Sequence, residues 1–128
     1  MKGHLDLRAV TNLEDVTLSN VGGDLLFMSV TSLEGVTFGD VRGNLDLRSV
    51  TSLEGVTFGN VEGHLALRSL TSLKDITLPD VGGTLYLSSL TSLKDVIFGE
   101  VEEVLCLDSL PNEEKKLLQN EYPNLTIE

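Results

Sequence analysis

The chain has 128 residues, enough for one domain, with a formal charge of −11, 41% hydrophobic residues and no Trp. That charge argues against nucleic acid or an anionic membrane surface as direct partners, since both are polyanions, and leaves a protein, a basic one included. No apolar run approaches membrane-spanning length, residues 1–20 lack a secretory apolar stretch, and the single Cys106 cannot form an internal disulfide; a cytoplasmic location is the expectation.

Cut every 20 residues without a gap, the chain falls into rows beginning at Met1, Val21, Val41, Val61, Val81 and Val101, with a partial row from Glu121. Repeat position 3 is then Gly3, Gly23, Gly43, Gly63 and Gly83. Positions 5 and 7 carry Leu5, Leu25, Leu45, Leu65, Leu85 and Leu105, and Leu7, Phe27, Leu47, Leu67, Leu87 and Leu107. Apolar spacing of two predicts a half-buried strand there, as in Asn44 to Arg48. Spacing of three through Leu47, Val50, Leu53 and Val56 suits bends. A second short strand is predicted over Gly55 to Gly59, where positions 16 and 18 are apolar (Val56, Phe58), and Gly39-Asp40 or Gly59-Asn60 then reads as a turn. Positions 5, 7, 13, 16 and 18 are the expected core.

The sixth row departs from the pattern. Glu103 replaces Gly, and Pro111 to Glu121 reads as a helix with Glu113 and Glu114 in its first turn, Leu117 and Leu118 as its apolar side and Pro123 beyond its end. Leu125 and Ile127 are expected to return to positions 5 and 7 as a last strand. The fold class is therefore all-β: a β-solenoid (β-helix) of six 20-residue coils, residues 1–110, with a helix-strand cap, residues 111–128, in the same domain. A lone coil cannot bury its own apolar positions, so the array folds by stacking.

The pattern V-x-G-x-L-x-L at Val41-Arg42-Gly43-Asn44-Leu45-Asp46-Leu47, repeated at Val21, Val61 and Val81, together with Thr31-Ser32-Leu33 and its equivalents, resembles receptor L domains and related leucine-rich-repeat-like β-helices. Similar tandem repeats also resemble those of bacterial and prophage proteins. The resemblance implies a solenoid whose faces bind proteins or ligands; no catalytic residues come with it.

Candidate sites are few. His4 and His64 share position 4 but lie three coils apart, about 14 Å, too far to hold one zinc ion. Cys106 is expected to be an incidental outward thiol. Thr17, Thr37, Thr57 and Thr77 form a one-wide outward ladder, which suits strand packing better than ice binding. Arg8, Arg48 and Arg68 at position 8 stand beside Asp6 and Asp46 at position 6, read as solvated ion pairs. Position 6 also carries Leu26, Ala66 and Tyr86, and apolar residues on an outward face are the better binding clue. Leu26, Met28, Arg48, Arg68 and Tyr86 are accordingly the expected partner-binding residues. The acids at position 14 (Glu14, Glu34, Glu54) and position 20 (Asp40, Asp80, Glu100) read as solvated stripes. No phosphate loop, cofactor motif or catalytic set stands out, and the expectation is a non-catalytic, cofactor-free protein-binding scaffold or inhibitor. The alternative is an acidic mimic of nucleic acid that blocks a nucleic-acid-binding machine, as a phage protein would. Because the first coil has no capping device, it is expected to pair with a second copy through Leu5, Leu7, Leu13, Val16 and Leu18, giving a homodimer.

Overall fold

The computed structural model describes residues 5–6, 13–71, 76–91, 99–123 and 125–128. Its regular elements are six short strands, a helix and a closing strand: β1 (Leu5–Asp6), β2 (Leu25–Leu26), β3 (Leu45–Asp46), β4 (Leu65–Ala66), β5 (Leu85–Tyr86), β6 (Val104–Cys106), α1 (Asn112–Glu121) and β7 (Thr126–Ile127). All the strands form one parallel sheet in the order β1 to β7. Leu5 pairs with Leu25, Leu25 with Leu45, and so on to Leu105, so each step is one 20-residue repeat. This is a solenoid-like stack with little helix. Among the described residues no helix is long and apolar enough to cross a membrane.

The second predicted strand is reduced to single-residue bridges, Thr17 to Thr37 and Thr37 to Thr57. The reason is local. Asp15, Gly35 and Gly55 turn the chain with positive φ just ahead of the pairing residue, and the next bend falls at positions 2 and 3 of the following coil, not at the expected Gly39-Asp40 or Gly59-Asn60 turn. Coils also pair at position 1, from Val21 through Val101, and at position 12, where Ser32 meets Ser52. Backbone pairing thus recurs at four stations around the coil.

The core follows from this path. Positions 5 and 7 are fully buried from Leu25 and Phe27 through Leu105 and Leu107. Leu33 and Leu53 at position 13 are also buried. Positions 16 and 18 are buried at Val36, Phe38 and Leu78, while Val56, Phe58 and Ile76 are half-buried against the same core. Two further positions complete it: position 1 (Val21, Val41, Val61, Val81) and position 10 (Val30, Val50, Leu70, Leu90, Leu110). Inside, Phe38 stacks on Phe58 at 5.4 Å and meets Phe27 edge-on at 6.1 Å.

At the far end Pro111 precedes α1, and Glu113 and Glu114 occupy its first turn, where the dipole favours acids. Only Leu118 faces the core; Leu117 is 68% exposed, contrary to the expectation that both form the apolar side. Adjacent helical residues lie about 100° apart, so one inward leucine turns its neighbour out. The closing strand also departs from the expected register. Thr126 pairs with Val104 and Ile127 with Leu105, so Ile127 lies opposite position 5 and not position 7. The helix uses more residues per unit of path than the extended chain it replaces, and the return falls two residues late.

Candidate functional site

The register of β2 to β6 sets Leu26, Asp46, Ala66, Tyr86 and Cys106 side by side across the sheet. This row is less open than its alternation with positions 5 and 7 suggests. Asp46 and Ala66 are buried, each 9% exposed, and Leu26, Tyr86 and Cys106 are half-buried. The cover comes from position 8. Arg48 folds back so that its Nε donates to both carboxylate oxygens of Asp46 at 3.1 Å, and its backbone N–H donates to Oδ1 at 3.1 Å. The hydrogen bond and the charge of Asp46 hold the Arg48 guanidinium above its ordinary pKa. The pair is therefore part-buried rather than fully solvated.

Arg68 covers the next part of the row. Its guanidinium carbon lies 4.2 Å from the centroid of the Tyr86 ring, a cation–π contact. His64 meets the opposite part of the cluster, its ring 6.1 Å from Tyr86 and nearly edge-on. Arg48 and Arg68 are exposed, and Met28 is half-buried. Of the five residues expected to bind a partner, the structure joins Arg68 and Tyr86 directly, pairs Arg48 with Asp46, and places Leu26 beside Asp46.

Of the residues expected at a self-association face, the backbone of Leu5 pairs in β1, Leu7 lies outside the described residues, and Leu13 and Leu18 are half-buried against the core. Val16 is half-buried as well. Arg8, His4 and the side chain of Asp6 also lie outside the described residues.

The single thiol is not freely exposed. Burial pushes the Cys106 pKa up, the Glu128 and Asp108 carboxylates push it further, and Arg68 opposes them. Among the described residues no group of His, Cys, Asp and Glu could hold a metal ion.

Polar side chains that the stripes suggested were merely solvated also satisfy the backbone of the next coil. At position 20, Asn20 Oδ1 accepts the N–H of Asp40, Asp40 Oδ1 that of Asn60, and Asp80 Oδ1 that of Glu100, all at 2.8–2.9 Å. At position 4, Asp24 Oδ1 accepts from Asn44 and Asn44 Oδ1 from His64. At position 9 the Ser49 hydroxyl donates to the Met28 carbonyl at 2.6 Å, and Ser69 donates to that of Arg48. The sequence signal was present in the recurring Gly-Asx pairs, but the partner is 20 residues away and becomes visible only once coils are stacked.

The glycines belong to the same device. A Cβ on Gly63 would clash with Asn44 Oδ1 and fall 2.6 Å from the Gly43 carbonyl oxygen. Position 3 is glycine because the preceding coil's accepting side chain occupies that space.

Comparison with family models, with curated proteins and with solved structures gave no match.

Proposed function

We propose that this chain is a non-catalytic β-solenoid of the receptor-L-domain or leucine-rich-repeat-like kind, which binds another protein through the face of positions 6 and 8. The observation that carries this reading is the Arg68–Tyr86 pair. A guanidinium lies on an aromatic ring at the surface, in the same repeat columns as the half-buried Leu26 and Met28, which stand three and two coils away along the stack. Aromatic and Arg side chains dominate binding energy at interfaces because they bury large areas and keep a polar handle. The face is also pre-ordered: Arg48 is held by Asp46, so little side-chain freedom is lost on docking. The acids at position 20 support a nucleic-acid mimic less well, because Asp40 and Asp80 each commit one oxygen to a neighbouring coil.

The test compares wild type with Tyr86→Ala and Arg68→Ala as bait for proteins of the native host. A specific partner is retained by wild type and lost from Tyr86→Ala, and titration of that purified partner shows weak dependence on salt. A partner retained equally by both variants, with affinity falling steeply as salt rises, would assign binding to the acidic surface instead.

A further inference from the structure

A second surface shares no residue with that face. Beside the end of α1 lies a groove of about 740 Å³ whose lining includes Asp80, Glu100, Glu102 and Glu121. Val101, Tyr122, Pro123 and Leu125 also line it, and among the described residues no Lys or Arg does. A smaller trough of about 240 Å³ shares three of these acids and adds Glu62, so the carboxylates continue along the stack.

We infer that this groove docks an extended, arginine- or lysine-bearing segment of a partner protein. The mixture of apolar and carboxylate lining selects this occupant. The methylene stem of an Arg or Lys side chain packs on apolar surface while its charged head reaches the carboxylates around it. The acids are distributed over successive coils, about 4.8 Å per step, and do not converge into a metal site among the described residues. A row of cations carried on a chain matches that distribution better than one ion. The groove is also built before any ligand arrives. Gln119 Nε2 donates to the carbonyl oxygens of Tyr122 and Leu125, at 3.1 and 2.7 Å, and fixes the wall. Asp80 Oδ1 accepts the N–H of Glu100 and holds two of the acidic lining residues in place. The net charge of −11 adds long-range attraction for a cationic segment.

Fluorescence anisotropy with a labelled peptide of alternating Arg and Leu tests the assignment on the full chain. The combined variant Glu100→Gln, Glu102→Gln, Glu121→Gln is expected to weaken binding about tenfold or more, and Glu14→Gln, Glu34→Gln, Glu54→Gln, which removes equal charge elsewhere, by less than about threefold. Equal losses in the two variants would reduce the effect to net charge and overturn the site. Amide chemical-shift changes on the wild-type chain provide a readout independent of how the variants fold. They are expected at Val101, Glu102 and Tyr122; changes centred elsewhere, or spermine binding there while the peptide does not, would also overturn the proposal.

Discussion

His64 Nδ1 accepts the backbone N–H of Thr84 at 2.7 Å, so an imidazole continues a ladder that Asp24 and Asn44 begin with side-chain oxygens. An accepting nitrogen carries no hydrogen, which places the ring proton on Nε2. The ring also fills the space over Gly83, where a Cβ would clash with Nδ1. His64→Asn keeps an acceptor at this position and should unfold close to wild type. His64→Ala leaves the Thr84 amide without its partner and should lose about 1 kcal/mol, read from chemical denaturation.

Gly63→Ala should cost about 1–3 kcal/mol, the range for forcing a group into filled space. The double variant Asn44→Ala, Gly63→Ala separates the two obstacles. Truncating Asn44 removes one contact but leaves the Gly43 carbonyl oxygen 2.6 Å from the new methyl. Recovery in thermal melts should therefore be partial at most.

Leucines of the two kinds should behave differently. Leu67 is fully buried and Leu117 is largely exposed. Leu67→Ala is expected to destabilise by about 2–5 kcal/mol, and Leu117→Ala to stay within about 0.5 kcal/mol of wild type. Parallel urea titrations give both values.

Cys106 should react slowly with iodoacetamide near neutral pH, because burial and the Glu128 and Asp108 carboxylates hold it in the neutral thiol form. Arg68 acts in the opposite direction, so Arg68→Ala should slow alkylation further. The sign for stability follows from the same shift. The folded chain retains the thiol proton to higher pH than the unfolded chain, so stability falls as pH rises above the thiol's ordinary range. Cys106→Ser should flatten that decline.

The repeat made much of this architecture legible. Leu25, Leu45, Leu65 and Leu85 recur without a gap, and their spacing of two to the next apolar residue marks the inner side of a strand. Val21 and Val30 also recur in their own columns, yet neither belongs to an alternating pair, so position 1 received no role and position 10 entered only as part of a three-residue spacing read as bends. Their burial depends on corners where the chain changes direction. Asp46 looked outward by alternation, but the folding back of Arg48 decides its exposure, and a side-chain conformation has no period. Leu117 and Leu118 are chemically equivalent, and only contact with the stack separates them. The Arg68–Tyr86 contact needed both residues' neighbouring coils in register, whereas the candidate residues themselves could be named from their columns. The groove beside α1 sets positions 20 and 2, neighbours in the chain, against the helix end, which lies outside the repeat grid.

The ladders of Asn20, Asp40 and Asp24, Asn44 make length a quantised property of this molecule. Each link joins residues 20 apart, so duplicating one whole unit reproduces every corner and adds about 4.8 Å to the stack. An insertion of any other size between the same corners would set side chains against glycine-sized gaps and amides against the wrong atoms. The two-residue delay before β7 lies downstream of all these links and would travel intact with the end of the chain. Unequal exchange between neighbouring repeats could thus lengthen or shorten such a protein in equal steps, while the groove at α1 stayed as it is.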